Sequence, residues 1–221
     1  LIFDAVRPLV AAGSTVLDVG AHVGYAALRF GEWVGPTGRV VCFEPVPDHL
    51  RQLSRNLDVN GYDTRTTVVP MAVCDEAGER HFFDSGDSNT GMSSLTGGSG
   101  RAPSRLIRTV SIDGWLANTG LGEIALTKID VEGAEALVLR GMSTSLAQKR
   151  HRAVLIELHP GVEPGIGQLV VEALNRVGGR PYELFDWQPT GRFVPVGAAE
   201  PENYLLAVRR DSVSLVSGGS A

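Results

Sequence analysis

The sequence predicts a doubly wound α/β fold built on a mostly parallel sheet, and three observations carry that expectation. The apolar run from Thr15 ends in Asp18-Val19-Gly20 and turns through Gly20 and Gly24 into an amphipathic segment with Ala27, Leu28 and Phe30. That is a buried strand, a tight glycine turn and a helix start. The first seventy residues spell this alternation as β-α-β-α-β, the half of a doubly wound fold that binds a nucleotide at the carboxyl ends of its strands. Later apolar runs, Ala125–Val131 and Ala153–Leu158, again end among polar residues, as strands buried on both faces do where they meet a crevice.

The chain has 221 residues, 43% hydrophobic and 20% charged, with a net charge of −5. This fits one globular domain, expected over 1–211. Lys and Arg are scattered without a block, which argues against binding a nucleic-acid backbone and favours a small neutral or mildly polar partner. No apolar run approaches the ~18 residues of a membrane span, and Asp4 and Arg7 do not suit a signal-peptide core, so a cytoplasmic location is expected. The chain begins at Leu1 rather than Met, which leaves room for a preceding segment. Cys42 and Cys74 sit in strand-like contexts without metal-ligand spacing and read as buried, reduced thiols.

Phe3, Val6, Leu9 and Val10 recur at helical spacing, so an N-terminal helix is expected within residues 1–13, lying against the sheet. Strand one and its helix follow, and Gly35-Pro36-Thr37-Gly38 stops that helix. Arg39–Pro45 reads as a second buried strand ending in Glu44, 26 positions after Asp18. An acid there is placed to accept the hydroxyls of a cofactor ribose. Asp48–Asn60 carries Leu50, Leu53 and Leu57 on one helical face, and Thr66–Val73 reads as a third strand. Glu79–Phe83 and Leu106–Val110 read as short strands around residues 84–104, a Gly/Ser/Asn/Thr-rich stretch with no periodicity, expected to be a flexible loop that covers the site or a passive insertion. Ser111 caps a short helical turn. Strand four enters Glu132-Gly133-Ala134-Glu135 and a helix, strand five ends at His159-Pro160, a helix covers Ile166–Val177, and Tyr182–Phe185 and Tyr204–Val208 are the last strands. Residues 212–221 read as a frayed tail.

In an open parallel sheet the strand ends Asp18-Gly20, Glu44, Ala72-Val73, Asp130-Glu132 and Glu157-His159 face one crevice. Each has a plainer reading taken singly: the glycines as packing devices, Asp130 as a helix cap, Glu135 as helix surface, His159 as a loop histidine. Their convergence is what points to a site, and an imidazole at a strand end titrates in the range useful for taking a hydroxyl proton.

These residues resemble the FkbM-type S-adenosylmethionine-dependent methyltransferases. The resemblance runs from Thr15 to Pro160 through Val-Leu-Asp-Val-Gly-Ala-His-Val-Gly-Tyr, Val-Cys-Phe-Glu-Pro, Ala-Val-Cys-Asp, Ser-Ser-Leu, Val-Ser-Ile-Asp-Gly-Trp, Thr-Lys-Ile-Asp-Val-Glu-Gly-Ala-Glu and Ile-Glu-Leu-His-Pro. The Lys-Ile-Asp-Val-Glu-Gly-Ala-Glu run is the most specific; His22 departs from the Asn often found there. The resemblance implies a seven-stranded class I methyltransferase sheet of Rossmann-like type with its last strand antiparallel, and methyl transfer to a hydroxyl of a sugar, polyketide or similar metabolite. It implies that Asp18, Gly20 and Gly24 hold the amino-acid end of S-adenosyl-L-methionine, with Ala21 and His22 in the same turn. Glu44, followed by Pro45, takes the ribose and Ala72-Val73 the adenine. Asp130 borders the methyl-transfer end, with His159 or Glu132 as base.

Displacement at a sulfonium methyl needs alignment and only a modest base. A divalent metal on Asp130 and Glu157 is the alternative way to acidify the hydroxyl, but two acids do not make a metal site. A nicotinamide-dependent oxidoreductase is the nearest rival enzyme, yet its Gly-x-Gly-x-x-Gly is absent from Gly-Ala-His-Val-Gly. A cofactor-binding scaffold without catalysis is the rival of another class, and it leaves Asp130, Glu132 and His159 idle.

Overall fold

The structure, a computed structural model, describes residues 2–82, 105–177, 179–198 and 200–217; the loop expected at 84–104 lies outside them. The strands β1 (Thr15–Val19), β2 (Arg39–Phe43) and β3 (Thr66–Val69) alternate with helices α2 (Tyr25–Val34) and α3 (Pro47–Val59), preceded by α1 (Ile2–Val6). Then come β4 (Ala72–Val73), β5 (Gly78–Phe82), β6 (Arg105–Val110), α4 (Ile112–Ala117) and β7 (Ile124–Ile129). Helices α5 (Glu135–Arg140) and α6 (Ser143–Ala147) lead to β8 (His151–Glu157) and α7 (Ile166–Asn175), and β9 (Tyr182–Gln188), β10 (Arg192–Pro195), β11 (Tyr204–Arg209) and α8 (Ser214–Ser217) close the chain.

The main sheet has eight strands in the order β3-β2-β1-β7-β8-β11-β9-β10. β3, β2, β1, β7 and β8 are parallel, and β11 runs antiparallel between β8 and β9, as expected for the last strand. The expected count of seven is one short. Gly191, at φ 80°, reverses the chain after β9, and β10 returns along it as a second antiparallel strand at the sheet edge. The strand expected over Thr66–Val73 is two strands. Pro70 has no N–H to give the ladder, so β3 stops at Val69 and β4 joins β6 and β5 in a separate three-stranded sheet.

Residues of one strand alternate between two cores. Leu17, Val41, Ile129 and Ile156 face the layer that contains α7, whereas Val16, Val40, Leu126 and Leu155 face Phe30 of α2 and Val6 of α1. This period of two, with both faces covered, is what makes the parallel strands read as continuous apolar runs. Cys42 and Cys74 are free and buried. Ser111 caps α4, its hydroxyl accepting from the Gly114 amide at 3.1 Å.

Two expectations at the chain ends are corrected. The N-terminal helix is short: Pro8 has no N–H to give the carbonyl four residues back, so the α-helix ends at Val6 and the chain tightens into a 3₁₀ turn over Arg7–Leu9. The tail expected to fray from 212 is folded through 217, because Val213 and Val216 pack on the α1–α2 core and Ser212 is buried. Among the described residues no helix is long and apolar enough to cross a membrane.

One polar group inside this core sets a pH dependence. His151, fully buried at the start of β8, lies 2.8 Å from Thr127 Oγ1 through Nδ1 and 3.0 Å from Ser145 Oγ through Nε2. The two hydroxyls can satisfy a neutral ring, and burial lowers its pKa to about 3. The unfolded chain, with a histidine pKa near 6.5, binds a proton that the fold does not, so stability falls as pH drops below about 6.5 toward 3. The expected result is that His151→Asn, followed by urea unfolding between pH 7 and 5, makes stability less dependent on pH by up to about 1.4 kcal/mol per pH unit. Equal slopes in parent and variant would remove His151 as the source.

Candidate active site

A cavity of about 350 Å³ opens at the carboxyl ends of β1, β2, β7 and β8. Gly20, Ala21, His22, Glu44, Pro45, Ala72 and Val73 line it on one side and Asp130, Glu132 and Glu157 on the other. The glycine turn has a physical cause at each glycine. Gly20, at φ 80°, brings its backbone against β7, and a Cβ there would sit 1.8 Å from the Asp130 carbonyl oxygen. Gly24, at φ 97°, lies outside the cavity lining; a Cβ there would meet Leu53 of α3 at 2.7 Å, so this glycine serves helix packing.

Glu44 is the junction of the two turns. Its Oε2 accepts the His22 amide at 2.9 Å, which fixes His22 in the left-handed region at φ 50°. Its Oε1 accepts the Val46 amide at 2.8 Å and lies 3.3 Å from His49 Nδ1. The carboxylate is buried, yet it borders the cavity with lone pairs to spare. The His22 and His49 rings lie 4.0 Å apart, and burial, with His49 next to it, lowers the His22 pKa. His22 Nε2 is buried without a hydrogen-bond partner.

Asp18 does not face the cavity. It is fully buried beneath the turn, with Lys128 Nζ 3.9 Å from Oδ1 and no hydrogen bond at either oxygen, and burial raises its pKa to about 6. Lys128 is buried too, but it lines the cavity and binds Asp130 Oδ2 at 2.8 Å. Burial works against its charge; Asp130 and Asp18 outweigh it and raise the pKa.

At the far end His159 sits behind the lining residues. Nδ1 is 2.9 Å from Glu135 Oε1, and Nε2 lies 3.5 Å from Glu132 Oε2 and 3.6 Å from Asp130 Oδ1. Glu135 is fully buried, which corrects its reading as helix surface: Glu132 and Gly133, at φ 52° and 92°, turn the start of α5 inward, and the Gly133 amide donates to Oε1. Burial opposes a charged ring, but Glu135, Glu132 and Asp130 outweigh it and raise the His159 pKa to about 9. Burial raises Glu132 to about 7, and Asp130, Glu135 and Glu157 add to it. Burial and Asp130 also raise Glu157, whose carboxylate accepts the Tyr204 hydroxyl proton. Asp130, Glu132 and His159 each offer a ligand atom within 4.8 Å of the others, so a divalent ion would find its donors there rather than on the pair Asp130 and Glu157. The imidazolium already supplies positive charge to that cluster.

Sequence reasoning named Asp130, Glu132, Glu44 and Gly20 at the cavity and passed over Lys128, His49, Glu135 and Tyr204. Lys128 had a signal, a cation inside the apolar run of β7; the other three had none apart from the fold.

Comparison with known proteins fits this geometry. The methyltransferase FkbM domain model matches residues 18–178. The hexuronic acid methyltransferase AglP of Haloferax volcanii is 29% identical over 159 residues, 71% of this chain and 61% of that protein. The 2-O-methyltransferase NoeI of Sinorhizobium fredii is 28% identical over 149 residues, 61% of this chain and 60% of that protein. The chain thus spans about three fifths of the length of these two relatives. The crystal structure of methyltransferase FkbM from Methylobacillus flagellatus superposes with a TM-score of 0.56 at 16% identity, covering 89% of this chain and 44% of the other, a likeness of fold. The chain belongs to the methyltransferase FkbM domain family.

Proposed function

We propose that the chain transfers the methyl group of S-adenosylmethionine to a hydroxyl of a small acceptor, in first place a sugar. The observation that carries the reading is one cavity bordered by Glu44 at one end and by Glu132 at the other. The hexuronic acid and the 2-O position in the names of AglP and NoeI support a sugar hydroxyl. The cofactor supplies, when bound, a methyl group activated on a sulfonium. The cavity fits such a group: a buried carboxylate with free lone pairs for ribose hydroxyls, the apolar Ala72, Val73 and Phe82 for a base, and a turn whose Gly20 leaves no room for a side chain. Asp18 acts from beneath the turn, as the partner of Lys128.

For the proton, Glu132 is the group in place. It lines the cavity, and His159 does not. At neutral pH the His159 imidazolium, held by Glu135, faces Glu132 and keeps its carboxylate available to accept the acceptor's hydroxyl proton. His159 and Glu135 are positioning residues in this reading, and Asp130 is held by Lys128.

Glu44→Gln keeps the size of the side chain but sets an NH₂ group against one of the two loop amides. Charged hydrogen bonds are worth about 1.5–3 kcal/mol each, so affinity for S-adenosylhomocysteine is expected to fall at least about tenfold by calorimetry, in a variant whose circular dichroism matches the parent. Unchanged affinity would show the ribose assignment to be wrong.

The rate is expected to follow Glu132. Below pH about 7 this carboxyl is protonated and cannot accept, so kcat/KM should fall as pH drops through 7 and hold level up to about pH 9, where His159 loses its charge. Glu132→Gln should remove the limb near pH 7 and cost at least about a hundredfold in turnover, with cofactor affinity retained. Loss of activity in EDTA with recovery in magnesium would instead put a divalent ion at Asp130, Glu132 and His159.

A further inference from the structure

In the proposed reading Glu44 receives the cofactor ribose, and a carboxylate orients a ligand only if its own direction is fixed. Three donors fix it, one from the turn after β1 and two from the start of α3. Oε2 accepts the His22 amide at 2.9 Å. Oε1 accepts the amide of Val46, the N-cap residue of α3, at 2.8 Å, and faces Nδ1 of His49, the third residue of that helix, at 3.3 Å. A carboxylate can only accept, so the proton of this last contact is on His49 Nδ1, which assigns the ring's tautomer. Two donors occupy Oε1 and one occupies Oε2, so more of the capacity left for a ligand hydroxyl is on Oε2.

Two of the three donors belong to the main chain; His49 supplies the third from a side chain. That side chain is buried, and the His22 ring packs on it edge to face, with centroids 4.0 Å apart and planes at 63°. His22 Nε2 is buried there without a hydrogen-bond partner. A buried nitrogen left unpaired costs free energy, and in a native fold it calls for a reason. The packing supplies one: the His22 ring blocks rotation of the imidazole that bonds Glu44. The contacts close on themselves, from Glu44 to the His22 amide, from the His22 ring to His49, and from His49 Nδ1 back to Glu44. All three residues line the cavity.

Resting on the reading of Glu44 as the ribose acceptor, we propose that His49 is a positioning residue for the cofactor. Its Nδ1–H holds the Glu44 carboxylate in the direction that receives a ribose hydroxyl, and the His22 ring holds the imidazole in place. Because His49 acts through Glu44, its contribution exists only for a ligand that carries the hydroxyl Glu44 takes.

The test pairs changes in the full chain with changes in the ligand. Calorimetry measures S-adenosylhomocysteine and its 2′-deoxy and 3′-deoxy analogues on the parent, on His49→Leu, which keeps bulk but has no donor, and on His49→Asn, whose side-chain amide can stand where Nδ1–H stood. At least one deoxy analogue should bind the parent at least about tenfold more weakly than S-adenosylhomocysteine, as loss of a hydrogen bond to a charged group requires. His49→Leu should weaken S-adenosylhomocysteine at least about fivefold yet change that analogue by less than about twofold, and His49→Asn should stay within about twofold of the parent for both. Independently of any variant's stability, long-range ¹H–¹⁵N NMR of the parent should show His49 protonated at Nδ1. Unchanged affinity in His49→Leu, an equal loss for S-adenosylhomocysteine and the analogue, a loss in His49→Asn as large as in His49→Leu, or an unprotonated Nδ1 each overturns the proposal and leaves the ribose assignment of Glu44 standing. Deoxy analogues that both bind the parent as tightly as S-adenosylhomocysteine, or failure of S-adenosylhomocysteine to bind, overturn that assignment and the proposal with it.

Discussion

Two cations set among carboxylates, one buried and one partly buried, hold the crevice together. Lys128 spans Asp130 and Asp18, which ties the end of β7 to β1, and His159 spans Glu135, Glu132 and Asp130, which ties the chain after β8 to the start of α5. Burying ions costs free energy unless partners replace the lost water, and removing one partner leaves the other charge stranded. The arrangement is therefore specified as a unit. It keeps the ends of three central strands in register, and it leaves more negative than positive groups facing the cavity. Burial first, and then this excess, raise the pKa of Glu132 and Glu157.

The turn after β1 depends on this unit as well as on its glycines. Gly20 can lie against the Asp130 carbonyl because it has no Cβ, and the backbone bond from the Asp130 amide to the Val19 carbonyl at 3.0 Å holds that approach. The loop then runs to His22, whose amide is taken by Glu44. The backbone of Asp130 and the carboxylate of Glu44, on the two sides of β1, thus fix the two sides of one turn. Lining and geometry are coupled here: a change at Glu44 alters both a carboxylate that borders the cavity and the shape of the turn beside it.

The parts of this that were legible in the sequence are those set by local pattern. β1, β2, β7 and β8 are buried on both faces, so they appear as uninterrupted apolar runs, and the polar residue that ends each run is at the crevice by topology alone. Gly20 and Glu44 were found this way. What stayed hidden depends on the path of the chain between elements. Glu135 has the spacing of a surface residue, and only the left-handed turn at Glu132-Gly133 carries it under His159. β10 is four residues at an edge, mostly exposed, with too few apolar positions to show a period. Pro70 was in plain view, yet its power to end a strand went unread because the residues on both sides favour strands. His159 was expected to face the crevice as a base, but it stands behind the lining residues, and three carboxylates, contributed by the chain from the end of β7 to the start of α5, hold it as a cation.

The division of labour inside the cavity follows from the sheet. Strands β1 and β2, with the chain after β3, supply glycine, one acid and small apolar side chains, a surface that can lie close to a flat, polar-edged ligand. Strands β7, β8 and β11 supply charge and aromatic hydroxyl, and the helix that follows the glycine turn adds Tyr25 to the lining. Because Tyr25 is the first residue of α2, the turn shaped by Gly20 and Glu44 also sets where its ring stands. Lys128 has its ammonium committed to Asp130 and Asp18, so on the β7 side it serves to hold these carboxylates in place.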